Sequence, residues 1–410
     1  MKRLTLLLLG LALGVTATAR AQGLTMQMSN GWSFSFAGNV NAFWSFTKEN
    51  ALAGDAANSS IRTGLLPTFA TFDAKGKESG MTLGIHFGFA PQIQNGGAGG
   101  EHDNFGVGTQ AGAQIDMRQV YLTLGLKDGS QILAGRELGL FGRQNILNDM
   151  TLFGVGAVGI GQGQSGGTTL GRIGFGYIYP NFNAQVTYST KPGRSQVSVG
   201  IFQPSDLGSF SYAFTTIPRV EAEFTYNQRS GKSNYMLWVG GLWQSTKSAP
   251  TGGNSVSSFG GTVGIKAGFS DLTLVVNGYI GKGLGTTLMF SGGEVAGTAA
   301  ATSPELRSSD GGYAQIMYKV GPKTNVGFSW GFSRLKNNET AAPNGDGNGN
   351  VRSNNYAYTV GVYHQWTKSL KFVLEGTQEG TTGNSLGPIL AGLPHGAKQT
   401  DVAAGFMLFF

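Results

Sequence analysis

WSFSFAGNVNAFWSF, Trp32–Phe46, sets Trp32, Phe34, Phe36, Gly38, Val40, Ala42, Trp44 and Phe46 on even positions and mostly Ser and Asn on odd ones. A period of two marks a strand with one apolar and one polar face, not a helix. The stretch is fifteen residues long. That exceeds the ~5–6 of an ordinary globular strand and covers the ~9–11 needed to cross a bilayer at a tilt. The same alternation recurs at Met81–Phe89, Val220–Tyr226, Val263–Phe269, Val326–Phe332 and Val402–Phe410, with the charges of Arg219, Glu221, Glu223 and Lys266 confined to the polar face. One such strand alone reads equally well as half of a soluble sandwich. Repetition along nearly the whole chain points to an all-β transmembrane antiparallel barrel with its apolar face toward lipid and its polar face toward a lumen. Closure also removes the long apolar edges that would otherwise pair between chains.

Composition supports this reading. Of 410 residues, 68 are Gly and only 12% are charged, against ~7% Gly and ~25% charge in an average soluble chain, which disfavours a cytosolic enzyme. The 26 Phe, 13 Tyr and 6 Trp argue against long disorder. With no Cys, disulfide scaffolds, thiolate metal sites and cysteine nucleophiles are excluded. Lys2 and Arg3, an apolar run from Leu4 to Val15 and Ala19-Arg20-Ala21 form a secretory leader, so residues 1–21 are expected to be cleaved and residues 22–410 to form the barrel domain. Cleavage removes Lys2, Arg3 and Arg20 and lowers the formal charge from +7 to +4, too modest a balance to imply nucleic-acid binding. After the leader no window approaches the ~18 uncharged apolar residues of a membrane helix.

The connections alternate in length. Tight turns fall at Lys75–Ser79, Lys127–Ser130, Lys191–Arg194, Arg229–Ser233, Ser270–Asp271, Gly321–Thr324 and Thr367–Ser369. Long ones fall at Lys48–Ile61, Pro91–Gly112, Glu137–Asn181, Pro204–Ile217, Ser245–Ser257, Gly283–Ser309, Lys336–Arg352 and Glu379–Ala397. Seven short and eight long connections make sixteen strands, with short periplasmic turns and both termini on the periplasmic side. Leu170–Tyr179 also alternates, but as a wall strand it would make the count odd, so it is assigned to the third long connection. That connection is far longer than a structureless loop usually is, and so should be internally packed or functional.

With these features in place the chain resembles the Gram-negative outer-membrane general porins, over roughly residues 31–410. The resemblance rests on Met117–Asn145 (MRQVYLTLGLKDGSQILAGRELGLFGRQN), Val186–Pro204 (VTYSTKPGRSQVSVGIFQP), Tyr318–Phe332 (YKVGPKTNVGFSWGF) and the terminal FMLFF. It implies a usually trimeric barrel in the bacterial outer membrane, surrounded by lipid and lipopolysaccharide. It also implies an infolded third loop, and a last strand (Phe406, Leu408, Phe410) read by the barrel assembly machinery. The family's acidic motif in the third loop is missing here.

In that family a transverse field between loop and wall filters solutes, because fixed charges act strongly in a narrow passage. The resemblance places the constriction within Phe141–Gln164, which holds one acid, Asp149, and one base, Arg143. The wall candidates are Arg136, Arg118 and His86, with Arg172 on the returning part of the loop. Arg136 closes the strand that enters the loop and is the first choice. Arg118 shares parity with the outward Val120 and Leu122, and turns inward only if a bulge intervenes. Inward parity adds Arg219, Lys266, Lys371, Glu221, Glu223 and Glu375. The resemblance implies passive diffusion of small hydrophilic solutes, and the local excess of arginine suggests weak anion preference or entry of small acidic solutes.

No cofactor, metal or enzymatic activity is expected. GVGAVG, Gly154–Gly159, matches a dinucleotide fingerprint by letter but lacks its strand and helix context. Among the four histidines only His86 is a plausible lumenal base for a hydrolase barrel; His102, flanked by two acids, reads as a solvated loop. The alternative within the same class is a substrate-specific channel narrowed by the long third loop, with Tyr279 and Phe43 facing inward. A structural barrel sealed by that loop ranks lower.

Overall fold

The computed structural model describes residues 23–51, 54–93, 115–161, 168–207, 212–291, 294–296, 305–336, 353–382 and 397–410. The leader, most of the second long connection and His102 lie outside the described residues.

Each wall strand pairs antiparallel with the next, from Ser33–Ala51 through to Lys398–Phe409. The first and last then pair with one another from Asn39 opposite Phe409 to Asn50 opposite Lys398, which closes the barrel. When Gly54–Arg62 and Phe69–Glu78 are counted as two halves of one wall strand, and the short Leu24–Gln27 segment is set aside, the barrel has sixteen strands. Phe410 exchanges both backbone hydrogen bonds with Gly38 (3.0 Å each), and its ring lies 5.0 Å from that of Phe36. Phe406 and Leu408 face outward, as the alternation requires.

The outward face is apolar and exposed, for example Val40 (50%), Val263 (52%) and Val360 (59%). Such a continuous band would be a liability in water and fits a lipid surround. Tight turns close one end; Ser79 (φ 50°) and Gly80 (φ 80°) form the two-residue turn with both central φ positive that matches strand twist.

Two expectations need correction. Lys48–Ile61 is not a long loop, because Ser33–Ala51 and Gly54–Arg62 continue as a hairpin paired from Phe43–Arg62 to Ala51–Gly54. The break lies lower, at Thr63–Thr68, where the wall strand leaves the sheet and dips into the lumen. Pro67 has no N–H for the ladder, and the Asn41 side chain takes its place by accepting from Gly64 N (3.0 Å) and donating to Leu66 O (3.1 Å). Leu170–Tyr179 lies outside the wall as expected, with only isolated bridges.

Candidate functional site: the lumen and its third loop

The strand Gln131–Leu138 ends early and the chain turns inside, returning to the wall only at Phe182. Its first pass runs along the wall from Arg219–Ser230 around to Lys398–Phe409. Leu140 and Phe141 donate backbone N–H bonds to Glu221 Oε2 (2.7 and 2.9 Å). Arg143 forms a two-pronged pair with Glu223 (2.6 and 3.3 Å), a geometry that fixes both distance and orientation. A short helix, Arg143–Leu147, then brings Asn145 under Trp238, whose Nε1 donates to Asn145 Oδ1 (2.8 Å), and Tyr313 donates its hydroxyl to Asn145 O (2.7 Å).

GVGAVG, with no dinucleotide context, has a different use. Val155 and Gly156 both donate N–H bonds to Glu375 Oε2 (2.7 Å each), Val158 to Asp401 (3.2 Å) and Gly159 to Glu379 (2.9 Å). A glycine-rich turn presents successive N–H groups to anions, and here the anions are wall carboxylates. A Cβ at Gly154 would meet Glu375 Oε1 at 2.1 Å, so a side chain there would displace the carboxylate from the Val155 and Gly156 amides.

The return pass lies along the same wall. Arg172 is fully buried and donates to the wall carbonyls of Ala357 and Ser329 (2.6 Å each). Tyr177 donates its hydroxyl to Asp149 (2.9 Å), which also caps Thr151. Burial raises the Asp149 pKa, opposed by the nearby Arg172 charge. Between the passes and the wall sits an apolar core: Leu152, Val155, Val158, Ile160, Ile173 and Phe175 against Phe43, Trp238, Tyr363 and Met407. The inward dip adds Leu65 and Leu66, whose N–H groups bond Gly154 O and Leu152 O (3.0 and 3.2 Å). A second core joins Phe141 and Ile178 to Leu207, Tyr212, Tyr279, Leu284 and Phe290.

As a result, inward side chains that a wide pore would wet are buried around most of the circumference, including Ser329, Thr359, Gln244 and Glu379 at 0% exposure. Asp73, Gln119, Tyr121 and Glu137 form one arc of partly exposed inward polar groups on neighbouring strands, whereas the half-buried Lys75, Lys266 and Lys371 lie toward the short-turn end on three strands spread around the wall. His86 is buried behind them, its Nδ1 3.0 Å from Asp73 Oδ1 and its ring stacked 4.7 Å from Tyr121. Gln119 donates to Glu137 (2.8 Å).

The expected filter residues therefore separate. Arg143, Asp149 and Arg172 are brought together inside the barrel but are committed to holding the loop. His86 lies on the arc. The register skips Arg118 between Met117 and Gln119, opposite Gly88/Phe89; this bulge lets Arg118 bond Asp116 (2.7 Å). Arg136 corrects the first choice. It pairs with Val120 and Ala184, neighbours of the outward Leu122 and Val186, and so is exposed on the outer face.

Asp401, Glu379 and the Gly64–Pro67 dip were missed. The signals were present: acids at inward parity on two adjacent strands, and a Gly-Leu-Leu-Pro interruption of an alternating run.

No protein-family model and no curated protein matches the chain. Solved structures do. The outer membrane channel DcaP of Acinetobacter baumannii is 14% identical with a TM-score of 0.65, covering 94% of this chain and 99% of that one. An anion-selective porin from Comamonas acidovorans is 14% identical with a TM-score of 0.61, covering 92% and 100%. A trimer form of the outer membrane protein OmpT of Vibrio cholerae is 12% identical with a TM-score of 0.52, covering 93% and 100%. The fold is the sixteen-stranded closed barrel of the outer-membrane porins.

Proposed function

We propose that this chain is an outer-membrane porin through which small hydrophilic solutes diffuse passively along a lumen reduced by the third loop to one wall arc. The observation that carries this reading is the contrast between the buried inward face around most of the barrel and the partly exposed Asp73, Gln119, Tyr121 and Glu137. A narrow polar arc beside an apolar loop favours a low size limit over wide general diffusion, which brings the reading close to a substrate-specific channel. Charge preference is weak in this account. The arginines expected to favour anions are paired or outward, and the lysines toward the short-turn end are offset by Asp73 and Glu137.

The mature chain begins after Ala21, assembles through its terminal Phe406–Phe410 strand by the barrel assembly machinery, and forms a homotrimer; the trimer form of the similar Vibrio cholerae barrel supports the last point. It acts without catalysis or cofactor. Liposome swelling with sugars of increasing size tests the reading: influx should be measurable for the smallest solutes and fall off steeply with size. Equal rates for small and large sugars would reject the narrowed arc.

A further inference from the structure

The polar groups on the open wall arc share one chemical property: what they leave unspent are acceptors. Asp73 lies opposite His86 in the ladder, and its carboxylate takes the Nδ1 proton at 3.0 Å. In neutral His86 that leaves a lone pair on Nε2. This atom has no hydrogen-bond partner among the described residues, although His86 is only 8% exposed. Gln119 donates its amide to Glu137 (2.8 Å), which identifies the other end, Oε1, as an acceptor. Both tips lean over Gly88, where a Cβ would lie 2.6 Å from Gln119 Oε1 and 3.2 Å from His86 Nε2. Glu137 itself accepts from neutral donors, the Gln119 amide and the Leu138 N–H (2.7 Å).

Tyr121 stands between the two acids. One face of its ring stacks on His86, at 4.7 Å and 13°. Its ladder partner on the other side is Gly135, so no cross-strand side chain covers the second face, and Glu137 is the next inward position along that strand. The bases close by are Arg118, spent on Asp116 (2.7 Å), and Lys75, one inward position from Asp73 toward the short-turn end. An ammonium group has three donors, no acceptor and a positive charge, and it is attracted to a tyrosine face within ~6 Å of the ring centroid.

We propose that the arc of Asp73, His86, Gln119, Tyr121 and Glu137 is a binding site for small organic cations bearing primary ammonium groups, which rests on the lumen being open along this arc. The ammonium sits against the uncovered Tyr121 face, between the two carboxylates. Bulk ions feel the summed field of these acids and the lysines spread around the wall, whereas a solute in contact with the arc meets acceptors.

The test is ligand binding to the detergent-purified full-length protein, read by saturation-transfer NMR. The probes are three four-carbon solutes of matched length: 1,4-diaminobutane, 1,4-butanediol and succinate. The diamine should bind more tightly than both. Asp73→Asn and Glu137→Gln should each weaken it by roughly fivefold, and Tyr121→Leu by about threefold. Lys75→Gln, which removes the neighbouring cation, should strengthen it by about twofold. Resistance to unfolding in cold SDS shows that each variant is a closed barrel, and the gain at Lys75→Gln keeps the idea testable if an acid variant fails to fold. Equal binding of butanediol, equal binding of succinate, or folded Asp73→Asn and Glu137→Gln barrels with unchanged affinity would each overturn the proposal. Liposome swelling separates it from the porin reading. A barrel that admits small sugars but does not bind the diamine overturns the site alone, and one that binds the diamine but admits no solute supports the site while overturning passive diffusion.

Discussion

Replacing Glu375 with Ala should release part of the third loop without opening the barrel wall. The carboxylate accepts two backbone N–H bonds from Val155 and Gly156 (2.7 Å each) and the Tyr363 hydroxyl (2.5 Å), all in a buried setting. The buried Tyr363 hydroxyl loses its acceptor as well, but the two amides, fixed in a tight turn, set the minimum cost. An orphaned buried donor costs ~1–3 kcal/mol, so local docking weakens by about 2–6 kcal/mol, a factor of at least roughly 30 in the docked-to-released ratio. The apolar packing of Leu152, Phe175 and Tyr177 remains, so the Gly154–Gly159 stretch should move while the rest of the loop stays. The assay is exclusion of polyethylene glycols of graded size from the conducting channel: Glu375→Ala should admit larger polymers than the wild type, and Glu375→Gln, which keeps one acceptor oxygen, should fall between. A folded Glu375→Ala barrel with unchanged size limit and unchanged current noise would refute the reasoning.

Four further outcomes follow from the same contacts. Arg136→Ala should leave the reversal potential in a salt gradient unchanged, because the side chain faces outward; a clear shift would place it in the lumen after all. Arg143→Ala leaves Glu223 buried beside Gln144 alone, and loss of one partner of a buried pair costs ~3–5 kcal/mol; the thermal midpoint should fall, and the Arg143/Glu223 double variant should recover part of the loss. Gly64→Val should disturb the loop more than the wall, since a Cβ there meets Gly154 O at 2.1 Å; the expected result is a closed, SDS-resistant barrel with altered conductance. Phe410→Ala removes the ring packed on Phe36 but keeps the backbone pair with Gly38, so refolding into vesicles should slow while the folded product stays closed.

The wall was legible in the sequence because a membrane barrel imposes one rule on every strand, and Trp32–Phe46 obeys it without exception on the even positions. The third loop's endpoints were legible too, since strand parity and an even count left Leu170–Tyr179 nowhere else to go. What the loop does inside was not. Its anchors are backbone N–H groups, which every residue has, so Val155 and Gly159 carry no letter-level signal. Their partners Glu375, Glu379 and Asp401 become a group only once the register sets Glu379 opposite Gln399 and Thr377 opposite Asp401. Arg136 misled because its position at the end of a strand suggested the loop mouth, while parity with Ala134 and Val120 already turned it outward. The hairpin at Ala51–Gly54 was hidden by a polar, glycine-containing stretch that resembles a loop in composition, and the true break at Thr63–Thr68 was hidden by apolar residues that resemble a strand.

Single-channel recording in a planar bilayer tests the central claim most directly, with wild-type protein at a fixed salt concentration and in a salt gradient. The account predicts small, steady conductance steps with a reversal potential near zero, set by a narrow arc where Asp73 and Glu137 oppose the lysines of the short-turn end. Large steps that scale with bulk conductivity would mean that the third loop does not narrow the lumen. A folded barrel that never conducts would mean that it seals the lumen completely, and either result would contradict the proposed function.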